Sequence, residues 1–331
     1  MQPDLCLAAF EPRLLPKIWG ARNLGRWGKK LPEGGAFGEC WELFDDAEGS
    51  PLCIQGPARG RSLAELARSW GQGLYGQGRG AVQGRFPLLI KLLDAAENLS
   101  VQVHPDDALA QALHGPQARG KNEMWVVLEA APGASVLNGF KPGTTWAALK
   151  AAVAGHAVVD LLHRVPVKAG DVIDVPAGRP HALGAGCLVL EVQSNSDWTY
   201  RLWDYGRLER GQARALHLRE AERALRFDAL GTGQGLVAPA AIPQPWGRRE
   251  ELVSNGDFLV ERWTLDADAS VEVQGRMRVL FPVRGGAEIR TAGDPAAWPM
   301  AHGACSLVPS ALPCRVQAGP GGAQLICAEA R

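Results

Sequence analysis

The 331-residue chain has no surplus of charge: 35 Lys and Arg stand against 35 Asp and Glu, with seven His counted neutral. Without a basic excess there is no electrostatic footprint for a nucleic acid or an anionic membrane, and neither partner is expected. Long hydrophobic runs are also missing. The stretch Phe86–Leu93 is interrupted by Lys91 and falls far short of the ~20 residues that cross a bilayer. The N-terminal segment has neither a basic n-region nor a long apolar h-region, so a cytoplasmic location is expected. Cysteine is odd in number, and none of the seven stands in a C-x-x-C pair. That disfavours a disulfide framework, a thiolate zinc knuckle and a thioredoxin-like centre. There is no P-loop and no H-E-x-x-H. One G-x-G-x-x-G match, Gly71–Gly76, follows a helical pattern instead of opening one, and reads as a flexible Gly-rich loop, not a pyrophosphate cradle.

Turn formers are abundant. Forty Gly and 23 Pro punctuate the chain as they do in proteins of many short strands. Strand-like alternation or apolar runs occur at Pro87–Leu93, Leu99–His104, Trp125–Glu129, Val172–Val175, Cys187–Gln193 and Phe258–Leu265. Helical periodicity is local: Ser62–Trp70, where Ser62 and Glu65 have capping-box spacing, then Asp106–His114, Thr144–Val153 and Leu216–Phe227. A Gly- and Pro-rich stretch at 229–247 has few charges and no clean period, and is expected to join a unit 1–240 to a smaller β unit 250–331. The chain therefore reads as mainly β with helical insertions.

Two stretches carry candidate chemistry. In Ser100–Asp106, strand alternation puts Ser100, Gln102 and His104 on one face and Val101 and Val103 on the other. Imidazole nitrogen and amide oxygen are both competent ligands for a zinc-type cation, although a half-exposed strand with a polar face would look the same. The second stretch is Gly170-Asp-Val-Ile-Asp-Val-Pro176-Ala-Gly178-Arg-Pro-His181. Its spacing resembles the second motif of cupins, a small double-stranded β-helix that holds a metal; Ala185 stands where an Asn often follows. Glu123, in Gly120–Trp125, lies 19 positions after His104, farther than the acidic ligand of a common cupin.

The segments 11–20, 86–91, 99–105 and 200–207 occur in the order of type I mannose-6-phosphate isomerase, and the resemblance spans nearly two thirds of the chain. It implies a reversible conversion of mannose 6-phosphate to fructose 6-phosphate, with one zinc ion per chain held by Gln102, His104, Glu123 and His181. It further implies that Lys121, Arg201 and Asp197 are catalytic and that Lys91 and Ser100 line the hexose phosphate pocket. Alternation places Asp197, Thr199, Arg201 and Trp203 on one face. A cis-enediol(ate) is the expected intermediate, with Lys121 the first candidate base if its pKa is lowered by the cation and by Arg201. Many relatives carry His where this chain has Gly120. In the tail, Gly303–Cys314 repeats the Gly-x5-Pro spacing with Cys314 in the place of His181, so 250–331 is expected to be a degenerate cupin-like barrel without metal. Alternative expectations are a metal-dependent cupin oxygenase or a non-catalytic sugar-phosphate-binding cupin. A monomer or weak homodimer is expected.

Overall fold

A computed structural model describes residues 5–76, 84–209, 211–228, 231–292 and 296–331. The two facing sheets of the first unit are built from β1 (Arg13–Ala21), β2 (Phe37–Leu43), β3 (Leu88–Asp94), β4 (Val101–Val103), β5 (Glu123–Ala130), β6 (Ser135–Phe140), β7 (Leu162–Pro166), β8 (Val172–Val175), β9 (His181–Ala182), β10 (Cys187–Ser194), β11 (Tyr200–Trp203) and the short strand Leu236–Val237. One sheet runs β1-β2-β3-β10-β5-β8 and ends on Leu236–Val237; the other runs β11-β4-β9-β6-β7. The strand pairings within them are antiparallel.

Period-2 alternation sorts the side chains of these strands into three layers. Trp19, Leu93, Trp125, Val127, Val136, Val165, Ile173 and Val189 come from both sheets and fill the space between them. On the outer face of the smaller sheet, Val101, Val103, Leu137, Phe140 and Leu202 meet the helices Trp146–Ala154 and Leu218–Ala224. The outer face of the larger sheet is not solvated either. Leu88, Ile90 and Leu92 of β3, Met124 and Val126 of β5, and Leu190 and Val192 of β10 pack against Phe258, Val260, Val279, Phe281 and Ile326. Those last residues belong to a C-terminal sheet that starts at Ala241–Gln244 and includes the long strands Arg278–Thr291 and Cys314–Ala330. Burial on both faces explains why β3, β5 and β10 read as near-continuous apolar runs.

Three of the expected helices form, each with a side-chain cap. Ser62 and Glu65 form the reciprocal capping box of Leu63–Trp70, Asp106 caps Asp107–His114, and Thr145 caps Trp146–Ala154. Three expectations need correction. The expected strand Leu99–His104 is extended only over Val101–Val103. The expected helix Leu216–Phe227 covers only Leu218–Ala224, with His217 before it turned to accept the Arg201 N–H at 3.0 Å. The expected joint 229–247, of which 229–230 lie outside the described residues, is paired structure: Leu236–Val237 extends the larger sheet against β8, and Ala241–Gln244 pairs with Gly247–Ser254.

The Gly71–Gly76 match is neither a cradle nor free loop. The Gly73 carbonyl accepts from the Ser310 hydroxyl and the Ala311 N–H, both at 2.9 Å, docking the segment on the C-terminal sheet.

Candidate active site

Four polar side chains from three places in the barrel converge between the sheets. Gln102 projects inward from β4 because its neighbours Val101 and Val103 project outward. His104 follows directly. Glu123 opens β5, and His181 opens β9, where it is the register partner of Gln102. The turn Pro176–Arg179 delivers His181: the Arg179 N–H reaches the Pro176 carbonyl at 3.1 Å, with Gly178 at φ +87° in the third position. That is a type II turn, whose third residue favours glycine. A Cβ at 178 would also collide with the Arg226 side chain.

Hydrogen bonds on the far side of each ring fix the imidazoles. Nδ1 of His104 faces the Trp198 carbonyl at 3.0 Å, and Nδ1 of His181 faces the Arg179 carbonyl at 2.9 Å. A carbonyl only accepts, so both Nδ1 carry the proton and both Nε2 present a lone pair. These lone pairs point at a carboxylate: His104 Nε2 lies 3.2 Å from Glu123 Oε2, and His181 Nε2 lies 3.2 Å from Glu123 Oε1. Lone pairs facing lone pairs repel. His104 Nε2 and Glu123 Oε1 are buried without a hydrogen-bond donor, while Oε2 meets the Lys121 ammonium at 3.0 Å. The amide of Gln102 completes the ring at 3.2 Å from His181 Nε2. Leaving such acceptors dry and unpaired is costly, and a divalent cation satisfies all of them at once. The donor set therefore fits a metal. Among the described residues, His104, Glu123 and His181 form the one such group of His, Cys, Asp and Glu, their ligand atoms within 4.8 Å of one another.

Electrostatics follows burial. Desolvation and then the nearby Lys121 ammonium push His104 down to about 4, so it stays neutral. Burial alone would raise the Glu123 carboxyl, but Lys121, with Nζ 3.0 Å from Oε2, leads the groups that hold it well below the usual carboxylate range. Burial alone would lower Lys121; Glu123, Glu191 and Asp197 outweigh it and hold the ammonium above its usual range. That direction is opposite to the lowering expected of a base.

A pH dependence of stability follows. Unfolded His104 titrates near 6.5 and folded His104 near 4, so between these values the unfolded chain binds the extra proton. The metal-free protein is expected to lose up to about 3 kcal/mol as pH falls through that window. The Glu123 contribution is lost only below about 4.5, its unfolded value. Urea midpoints of chelator-treated protein against pH, compared with His104→Gln, would reveal this; a flat wild-type profile would refute it.

A cavity of about 190 Å³ opens beside this cluster. Lys17, Lys91, Lys121, Arg201 and Arg214 line it against Glu39, Glu191 and Asp197, a surplus of two positive charges that suits a dianion. Lys91 is buried, with Nζ 3.6 Å from Glu191 and 4.0 Å from Asp197. Ser100 is buried on the cavity wall. Arg201 also lines it; one guanidinium nitrogen donates to the Ala215 carbonyl at 2.8 Å while Nε has no partner. Asp197 and Thr199 share that wall, as alternation predicts, but Trp203 does not. A register shift between Arg201 and Trp203 turns Trp203 into the outer cluster with Leu202.

Glu191, Glu39, Lys17 and Arg214 escaped the sequence reading. Glu191 had a signal: with Val189 and Gln193 it occupies the inward-facing positions of β10, a charge set in an apolar run. Its carboxyl accepts from the Trp125 indole at 2.9 Å and is raised by burial and by Glu123. Gly120 has a steric cause in this chain, because a Cβ there would run into the backbone of Asp106 and Asp107.

Residues 13–130 match the family model described as phosphomannose isomerase type I, catalytic domain. The chain is 33% identical over 309 residues to mannose-6-phosphate isomerase ManA of Bacillus subtilis, which covers 92% of this chain and 93% of that protein. It is 35% identical over 266 residues to the mannose-6-phosphate isomerase of Streptococcus mutans, covering 80% of each. Among solved structures, the mannose 6-phosphate isomerase from Bacillus subtilis aligns with a TM-score of 0.86 at 28% identity, over 98% of this chain and 99% of that one. A variant of phosphomannose isomerase from Salmonella typhimurium aligns at 0.75 with 18% identity, over 98% and 99%, and shares the fold.

Proposed function

The chain belongs to the type I phosphomannose isomerases, and we propose on that premise that it interconverts mannose 6-phosphate and fructose 6-phosphate at a zinc site formed by Gln102, His104, Glu123 and His181. The observation that carries the proposal is the convergence of buried acceptors, His104 Nε2 and Glu123 Oε1 among them without a donor, facing one another beside a cation-rich cavity. Zinc bound there supplies Lewis-acid polarisation of the sugar oxygens, worth several kcal/mol.

The reaction moves a proton from one carbon of the open-chain sugar to its neighbour, through a cis-enediol or enediolate. Arg201, which lines the cavity and is fixed to the Ala215 carbonyl, holds the charge that develops on the oxygens. Lys121 is the group we assign to proton transfer. Its ammonium is held high by Glu123, Glu191 and Asp197 in the metal-free protein; a divalent cation held by Glu123 would cancel the first of these and add a like charge, which moves the lysine downward. Asp197, exposed at the cavity rim and 4.0 Å from Lys91, is placed to relay a proton to solvent. Lys91 and Ser100 are assigned to substrate binding.

We further read the chain as a catalytic cupin unit, 1–240, and a degenerate cupin-like β unit, 250–331. Among the described residues no sheet mixes strands of the two, and Gly303, at φ +75°, precedes the strand Ser306–Val308 much as Gly170 precedes β8. Seven cysteines without a disulfide support a reducing, cytoplasmic setting, and we expect a monomer or weak homodimer.

An assay coupled to fructose 6-phosphate is expected to show turnover of mannose 6-phosphate that chelation abolishes and zinc restores. Turnover in deuterated water is expected to place solvent label on the migrating position. No turnover with zinc present would reject the substrate, and unlabelled product would reject the enediol route.

A further inference from the structure

Asp257 belongs to the C-terminal sheet, at the turn that enters the strand Phe258–Leu265, yet its carboxylate is spent on the barrel. Oδ1 accepts from the Arg119 guanidinium at 2.7 Å, and Oδ2 accepts from the Asn122 amide at 2.7 Å and the Ser194 hydroxyl at 2.9 Å. The residue is held equally firmly on its own side. Asn255 Oδ1 accepts the N–H groups of Asp257 and Phe258 at 2.9 and 3.0 Å, and the Asp257 carbonyl accepts the Arg331 N–H at 2.9 Å.

Asn122 stands between Lys121 and Glu123. Its Oδ1 accepts the Ala177 N–H at 3.0 Å, inside the turn that leads to His181. Its backbone is bound twice to Ser194: the Asn122 N–H reaches the hydroxyl at 3.1 Å, and the Ser194 N–H reaches the Asn122 carbonyl at 3.0 Å. Arg119 is gripped from the other side by Asp107 at 3.0 Å. One carboxylate thus ties together the segment 119–123, the turn before His181 and the end of β10. Charge-assisted bonds from a buried carboxylate are the strong kind, and they act here on the backbone of residues that must hold a tight geometry.

We propose that Asp257 is a positioning residue for the metal centre, acting through Arg119, Asn122 and Ser194 to set Glu123 and His181 before the ion arrives; this rests on the zinc site proposed above. The role given to the C-terminal sheet is then to brace the centre without touching substrate.

The test uses the full-length chain. In Asp257→Asn an NH2 group meets donors that need an acceptor. Zinc affinity, read by competition with a chromophoric chelator, is expected to fall about 10–100-fold with the circular dichroism spectrum retained. kcat is expected to fall more than KM rises. Asn122→Ala cuts the same link from the barrel side and should give a similar loss, and the double variant should lose less than the product of the two. Glu261→Gln, which weakens the pair of a buried carboxylate with Arg249 on the face of the C-terminal sheet turned away from the barrel, is the control, and should lower thermal stability while leaving zinc affinity unchanged. Zinc affinity at the wild-type value in Asp257→Asn and Asn122→Ala, or an equal loss in Glu261→Gln, would overturn the proposal. If Asp257→Asn does not fold, Asn122→Ala decides. Should the wild type bind zinc yet leave mannose 6-phosphate unchanged, the substrate reading fails while the zinc measurement still judges Asp257.

Discussion

Glu123→Gln is expected to abolish tight metal binding and to reduce isomerase turnover by at least about 10³-fold, the loss of about 4 kcal/mol of Lewis-acid stabilisation at 1.36 kcal/mol per tenfold. The carboxylate is the only anion among the four proposed ligands, and its two oxygens face the two imidazoles separately. An amide of the same shape offers one acceptor and turns an NH2 toward one of the lone pairs. A second effect follows from Lys121, whose ammonium, with a side chain only 4% exposed, has Glu123 as its nearest carboxylate. Removing one partner of a buried pair costs about 3–5 kcal/mol, and the lower end applies because Glu191 and Asp197 still support the lysine. Metal analysis, a coupled assay and a urea titration of the same sample separate the two effects. Stoichiometric zinc in Glu123→Gln would remove Glu123 from the ligand set.

Lys121→Met is expected to behave in the opposite way toward the metal. The neutral side chain takes a positive charge away from the centre, so zinc should be kept, while isomerisation falls by at least about 10²-fold, the usual scale of acid–base catalysis. Methionine approximates the length of the lysine stem and suits a buried position, which keeps the fold intact. The solvent-exchange experiment sharpens the reading, because loss of label incorporation should accompany loss of turnover. A variant that holds zinc and turns over near the wild-type rate would take Lys121 out of the proton-transfer role.

Much of this site could be read from the chain because its parts follow local rules. Gln102 and His104 are marked by alternation with Val101 and Val103, and His181 by a Gly–Pro–Gly spacing whose turn demands glycine at 178. The span of β8 was legible for the same reason, as was Phe258–Leu265. What local rules cannot encode is the partner across space. Arg214 reaches the cavity from beyond β11, where its ion pairs with Asp204 at 3.3 Å and Glu209 at 3.4 Å are set by a loop with no period. Trp203 was misplaced because a register shift breaks the alternation that the prediction assumed. Asp257 follows Gly256 in a turn and looks like any solvated aspartate until its three donors, drawn from residues 63 to 138 positions away, are seen together.

The apolar layer shared by β3, β5, β10 and the C-terminal sheet bears on how the molecule can come apart. Neither half owns that layer, so melting one strips the other of its cover. Heat or denaturant therefore acts on a single cooperative whole, and the barrel is no cassette to be lifted out and grafted elsewhere.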